Sequence, residues 1–265
     1  MNYDDDNGLR FEYRGAAILI IVHILALFIG FTILANVFQF PEVLRLASSE
    51  RLALYRQNQS IIQPTYWVLS MTGFTQIGIS VFLYRSFRNR ERTVLMLALV
   101  FGIICGILQA AGFIRWAILI PYLAEQMRSA SVATAEILGI VEAAFNRYAG
   151  MALGEHMANI CLGLWTLLTG IAFLSDRLLD RKLAYWGMGL GVVSVILALE
   201  QLGIAPDLLS VVLDFGFPAW AIWMLLIAVS LLQTNPNTGK SPCFGWRTLT
   251  CAFALYVAMV LPLVI

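Results

Sequence analysis

Charged side chains are scarce in this chain of 265 residues, of which only 12% are charged and 60% are hydrophobic. Ordinary soluble domains are about 25% charged and about 45–50% apolar. A soluble fold of this size cannot bury so much apolar surface, so lipid must cover part of it. The formal net charge of +1 and the lack of a long basic run exclude nucleic acid as an expected partner.

Lysine and histidine are also rare, which excludes two cofactor classes. The only lysines, Lys182 and Lys240, lie between apolar segments, so no Schiff-base lysine is available for retinal. The only histidines, His23 and His156, differ in expected membrane depth by about 16 Å, too far to share one haem. A zinc site with three histidines is excluded by the count, and a mixed histidine–carboxylate site is the weaker alternative. We therefore predict no cofactor and no metal site.

Recognisable catalytic motifs are missing as well. The four cysteines fit no zinc-ligand spacing and are expected to be small buried hydrophobic residues: Cys105, Cys161, Cys243 and Cys251. The sequence contains no P-loop, no dinucleotide fingerprint and no serine-hydrolase elbow. Whether the protein is an enzyme stays open on this evidence.

Long apolar segments dominate what is present. About 20 apolar residues are needed for a helix to cross the hydrocarbon core, and seven segments qualify: 16–40, 63–87, 93–120, 149–175, 183–203, 210–233 and 246–265. Their length and continuity predict helices, so we expect an all-α polytopic membrane bundle of about seven spans. We expect a single transmembrane domain, 1–265, whose first residues, 1–15, form a short polar cytoplasmic tail. Pro218 leaves open whether the sixth span begins near 208 or 217.

The distribution of basic residues predicts the orientation. With the N-terminus inside, eleven Lys and Arg residues fall on the cytoplasmic side and five on the outer side. This bias favours an N-in, C-out topology. Small residues at helical spacing, such as Gly102 with Gly106 and Gly154 with Ala158, favour close packing of the helices in lipid.

Two outer connections, 41–62 and 121–148, each contain an amphipathic stretch. In the second, apolar residues recur at helical spacing with charged residues elsewhere on the helix: Ile137, Val141, Ala144 and Tyr148, against Glu136, Glu142 and Arg147. Such helices typically lie in the membrane interface, and a lid over an outward cavity is the alternative.

Ionisable residues within the spans are costly and commonly mark function. Arg115, Glu155, His156 and Glu200 come from three helices, and their expected depths lie between roughly 9 and 13 Å outward of the midplane. Four polar residues lie on the same outer side: Tyr66, Gln109, Asn159 and Gln201. We predict that these eight form an outward-facing polar pocket, which Asp214 joins if the sixth span begins early. Snorkelling to headgroups and purely structural pairing remain open.

Three functions remain open. The first is binding or transport of a small or amphipathic ligand in this pocket. The second is an accessory or scaffold subunit among other membrane proteins. The third is a membrane-embedded enzyme that uses Glu155 or Glu200 as acid or base.

The stretch from Asn146 to His156, Asn-Arg-Tyr-Ala-Gly-Met-Ala-Leu-Gly-Glu-His, continuing to Leu164-Trp165-Thr166, resembles a family of bacterial multi-pass membrane proteins classed as a domain of unknown function. The resemblance implies the bacterial cytoplasmic (inner) membrane as the location. It implies no reaction and therefore assigns no catalytic residue.

Overall fold

The computed structural model describes residues 3–87, 92–176, 178–204 and 206–234, together with position 254. The predicted seventh span, 246–265, lies outside the described residues except for that position. Throughout the described ranges the regular structure is helical. The α-helices are α1 (Tyr3–Phe38), α2 (Ser48–Gln57), α3 (Gln59–Ser86), α4 (Thr93–Arg128), α5 (Val132–Phe145), α6 (Ala158–Asp176), α7 (Arg181–Leu197) and α8 (Pro206–Gln233).

Three shorter or wider helices complete the described chain. Two are 3-10 helices, Glu42–Arg45 and Ala198–Leu202, and the third is a π-helix, Asn146–Met157, that joins α5 to α6. α2 lies within the predicted connection 41–62 and α5 within the predicted connection 121–148, so the helical stretches predicted there are confirmed.

Six helical segments in the described ranges are long and apolar enough to cross a membrane: Asn7–Phe38, Gln59–Ser86, Thr93–Arg128, Val132–Ser175, Arg181–Leu202 and Phe215–Gln233. They correspond to the first six predicted spans. The chain is an integral, multi-pass membrane protein with an all-α fold, as predicted. The total of seven spans and the N-in orientation stay predictions.

Several boundaries differ from the expected ones. α1 begins at Tyr3, so most of the predicted polar tail is helical, and Glu12 is buried and accepts a hydrogen bond from Arg85 Nε at 2.5 Å. α8, which contains the sixth predicted span, begins early, at Pro206. Proline is tolerated at the first position of a helix because the N–H there needs no helical partner. The predicted connection 121–148 is mostly helix, since α4 runs to Arg128 and only 129–131 separate it from α5.

The chain divides into two compact units. Unit 1 contains residues up to Ile24, Thr75–Cys105 and the residues from Asn159 onward, and unit 2 contains Leu25–Phe74 and Gly106–Ala158. The prediction of a single transmembrane domain is not decided by this division and stays a prediction.

Unit 1 is held by tryptophan and glycine contacts between its helices. Trp223 Nε1 donates to Leu183 O at 2.8 Å, and its indole covers Gly187 so closely that a Cβ there would lie 2.5 Å from the ring. Trp220 Nε1 donates to Thr166 Oγ1 at 3.2 Å. His23 Nδ1 and Thr75 Oγ1 form a hydrogen bond of 2.7 Å. Small residues permit these approaches, as the sequence pattern predicted.

Unit 2 is held by glycines and by a cluster of aromatic rings. A Cβ placed on Gly112 of α4 would lie 2.7 Å from the Cα of Gly154 in the π-helix, so the two backbones are in direct contact. Trp116 is buried among Phe38, Tyr55 and Tyr66, with ring centroids 5.2, 6.2 and 5.0 Å away respectively. This cluster fixes the C-terminal half of α4 against α2 and α3.

Candidate functional site

The π-helix Asn146–Met157 is the most unusual local feature of unit 2. Helices of this type are rare and are frequently found at functional sites. Here the π-helix spans 12 residues and contains the stretch that carries the family resemblance. Four residues at intervals of four, beginning in the last turns of α5, form one stripe of contacts: Glu142, Asn146, Gly150 and Gly154.

Arg115 of α4 faces this stripe and is about nine-tenths buried. Its Nη2 donates to Asn146 Oδ1 at 3.0 Å, and its Nη1 donates to Gly112 O. The guanidinium lies directly over Gly150, where a Cβ would occupy the same space. Its Cζ is also 5.1 Å from the centroid of the Trp116 ring, which adds a cation–π contact. The buried guanidinium of Arg115 is therefore held in place by uncharged groups.

Tyr66 of α3 lies beside Arg115. Its ring stacks on Trp116 at an interplanar angle of 14°, and its side chain is almost wholly buried. Tyr66 and Glu155 are both ionisable residues near the Arg115 guanidinium. Both Arg115 and Tyr66 were predicted as site residues, and the structure brings them together.

Two buried polar atoms in this cluster have no hydrogen-bond partner among the described residues. They are the Nε of Arg115 and the hydroxyl oxygen of Tyr66. Buried polar atoms in native proteins are nearly always satisfied, because leaving one unpaired costs about 1–3 kcal/mol. Both atoms are therefore available for a hydrogen bond to a further partner.

A second buried arginine lies in the same unit and is fully paired. Arg51 of α2 forms a bidentate ion pair with Glu142 of α5, in which Nε donates to Oε1 at 3.0 Å and Nη2 donates to Oε2 at 2.8 Å. Its Nη1 also donates to Leu44 O at 2.7 Å. Glu142 is fully buried, although a glutamate on the polar side of an amphipathic helix is ordinarily solvated. Its burial is tolerated because Arg51 hydrogen-bonds to both of its carboxylate oxygens.

Large apolar side chains of α5 and the start of the π-helix are exposed on the surface of the protein. Ile137 and Tyr148 of the predicted apolar stripe are 61% and 67% exposed. Three other large apolar side chains of this stretch are also exposed: Val132, Ile140 and Phe145. An exposed apolar face suits contact with lipid or with the membrane interface.

Two backbone carbonyls of α4 accept hydrogen bonds from side chains of neighbouring helices. Pro121 has no N–H, so the carbonyl of Ala117 loses its helical partner and instead accepts from Gln63 Nε2 at 2.9 Å. The neighbouring carbonyl of Trp116 accepts from the Tyr55 hydroxyl at 2.6 Å. Burial raises the pKa of Tyr55 above its ordinary value, so this phenol stays protonated and remains a donor.

The remaining predicted site residues are distributed over both units. Gln109 lies in unit 2, where its Nε2 donates to Thr72 Oγ1 at 3.2 Å. Glu155 and His156 are half-buried in the π-helix, and Glu155 is close enough to interact electrostatically with both Arg115 and Tyr66. Three half-buried residues belong to unit 1, and their membership of the site stays a prediction: Asn159, Glu200 and Gln201.

Four contributors to this cluster were missed by sequence reasoning: Arg51, Trp116, Glu142 and Asn146. Arg51 lies in the predicted connection 41–62 and Glu142 on the amphipathic stretch of 121–148, where charged residues are ordinary. The four-residue spacing from Glu142 to Gly154 was the available signal. Within the described ranges, no group of three His, Cys, Asp or Glu side chains is placed to hold a metal ion.

Comparison with known proteins gives a family and no further relative. Searches of curated proteins and of solved structures each found no match. The family described as "Domain of unknown function (DUF4386)" matches residues 15–232, which include every predicted site residue. The predicted resemblance to a family of this class is therefore confirmed: the chain belongs to the DUF4386 family.

Proposed function

We propose that this protein binds a small or amphipathic molecule inside the membrane, at Arg115 and Tyr66 of unit 2, in the manner of a transporter or sensor. The observation that carries the proposal is the pair of unsatisfied buried atoms, Arg115 Nε and the Tyr66 hydroxyl. The surrounding contacts hold both side chains rigidly, which lowers the entropic cost of binding.

The position of the site supports ligand binding more than simple architecture. A buried arginine that only fixes helix packing is expected to pair with a carboxylate, as Arg51 pairs with Glu142. Arg115 instead contacts Gly112 O, Asn146 Oδ1 and the Trp116 ring. These contacts orient the guanidinium and leave one of its edges available.

Removal of the Tyr66 hydroxyl separates the proposal from a structural role. If the hydroxyl contacts a ligand, Tyr66→Phe weakens binding by about tenfold, because a hydrogen bond to a charged or buried polar group is lost. Native mass spectrometry of protein purified in mild detergent is expected to show a bound non-protein mass on the wild-type chain. The same mass should be much reduced on Tyr66→Phe.

Tyr122→Phe is the matched control, since Tyr122 lies on the same α4 helix as Arg115 and is 61% exposed. It is expected to retain the bound mass. With no ligand, Tyr66→Phe removes an unsatisfied buried hydroxyl and stabilises the protein. A thermally stabilised Tyr66→Phe variant, with no bound mass on either chain, contradicts the proposal.

We also propose an N-in, C-out topology in the bacterial cytoplasmic membrane, supported by the eleven-to-five distribution of basic residues. A reporter enzyme that is active only outside the cytoplasm is expected to be active when inserted at 129–131 and inactive at 178–180. The reverse pattern contradicts the proposed orientation and leaves the ligand site untouched.

A further inference from the structure

We infer that the ligand presents an anionic oxygen group, a carboxylate or a phosphate, to Arg115 Nε and the Tyr66 hydroxyl. This inference rests on the proposed function and names the chemical class of its ligand.

The first argument is charge. Arg115 is about nine-tenths buried, and its guanidinium hydrogen-bonds only neutral oxygens among the described residues. Within the same unit, Arg51 has a carboxylate at 2.8 Å. A buried cation without a contacting anion is expensive, and the favourable remedy is an anion in direct contact.

The second argument is hydrogen-bonding chemistry. The free atom of Arg115 is an N–H, which can only donate, and arginine prefers carboxylate and phosphate oxygens. The neighbouring Tyr66 hydroxyl is a further potential donor. Both side chains pack against the Trp116 ring, whose centroid lies 5.1 Å from Arg115 Cζ and 5.0 Å from the centre of the Tyr66 ring. Each of these two groups can donate to an oxygen acceptor, whereas an ammonium group would bring a second positive charge to the buried guanidinium.

The third argument concerns Glu155, which lies near enough to Arg115 to interact with it electrostatically. Because Coulomb energy falls with distance, an anion touching the guanidinium gains more from Arg115 than it loses to Glu155. The carboxylate of Glu155 therefore opposes an anionic ligand and would favour a cationic one. This opposition makes Glu155 a diagnostic position.

The test measures binding to the full chain in mild detergent, and in nanodiscs of phosphatidylcholine with or without phosphatidic acid. The probes are inorganic phosphate, acetate, phosphatidic acid and, for the opposite charge, tetramethylammonium. We expect at least one anionic probe to bind the wild-type chain and Glu155→Gln to tighten that binding several-fold. Arg115→Lys keeps the charge and loses the Nε donor, so it is expected to weaken binding by about tenfold.

The probes also separate the possible sources of the anionic group. Binding of phosphatidic acid without free phosphate or acetate assigns a lipid headgroup, and binding of a free anion assigns a soluble ligand. Either result supports the inference.

Binding of tetramethylammonium that Glu155→Gln weakens overturns the inference, as does a lack of binding by every anionic probe. Tyr66→Phe provides a second variant if Arg115→Lys fails to fold, and it should weaken anion binding by about tenfold. A purified chain that retains a non-anionic mass contradicts the inference alone. A chain that binds no probe and retains no mass contradicts the proposed function too.

Discussion

Replacing Glu142 by Gln is expected to lower the free energy of unfolding by about 3–5 kcal/mol, because it leaves Arg51 as an uncompensated buried charge. The pair is two-pronged and both partners are buried, so water cannot take over the lost bonds. Unfolding of the purified protein by SDS in mixed detergent measures the change. Because Arg51 joins α2 to α5, we also expect faster proteolysis within 41–62.

Glu125→Gln is the matched control for this prediction. Glu125 forms an ion pair with Arg128 at 3.3 Å, but both side chains are largely exposed, so its loss should change stability by less than about 1 kcal/mol. A double variant, Arg51→Met with Glu142→Leu, removes both charges and should recover most of the stability. Equal, small effects of Glu142→Gln and Glu125→Gln would contradict the buried pair.

Gly112→Ala is expected to push α4 and the π-helix apart. Its Cβ would lie 2.7 Å from Gly154 Cα, and since that neighbour is backbone, α4 and the π-helix must separate. Overpacking of this kind costs about 1–3 kcal/mol. The separation would also shift Arg115 away from Asn146, so SDS unfolding should show lower stability and the bound mass should be lost.

The control is Gly189→Ala, at an exposed helical glycine where a Cβ meets nothing within 4 Å. Alanine favours helix over glycine by about 1 kcal/mol, so this variant should be neutral or slightly stabilised. If Gly112→Ala is as stable as Gly189→Ala, α4 and the π-helix are not in backbone contact.

The membrane fold was predictable because apolar length is a direct physical requirement of the bilayer. Each of the six described spans contains or overlaps a predicted segment, from 16–40 to 210–233. The helix ends were less predictable, since polar residues near the interface continue a helix at little cost. Thus α1 begins at Tyr3 and α8 at Pro206, beyond their apolar stretches.

The candidate site was predictable in part. Arg115 and Tyr66 were identified because polar groups in a span are costly, and the structure brings them together against Trp116. Glu142 was not identified, because a glutamate in an amphipathic stretch is ordinarily solvated. Its partner, Arg51, lies 91 positions away in the chain, and local pattern carries no information about such a pairing.

The π-helix was also outside the reach of sequence reasoning. The predicted fourth span, 149–175, was interpreted with α-helical geometry, in which neighbouring residues such as Glu155 and His156 point about 100° apart. A π-helix has a wider turn, so that angular argument does not apply to Asn146–Met157. What sets its register in this structure is contact at Asn146, Gly150 and Gly154, all of which involve α4.

The most direct test of the proposed site is an experimental density map of the wild-type protein, purified in mild detergent with no ligand added or removed. We predict non-protein density larger than a water molecule within hydrogen-bond distance of both Arg115 Nε and the Tyr66 hydroxyl. A map in which these two atoms bond only to each other, to protein or to a single water would contradict the ligand-binding site.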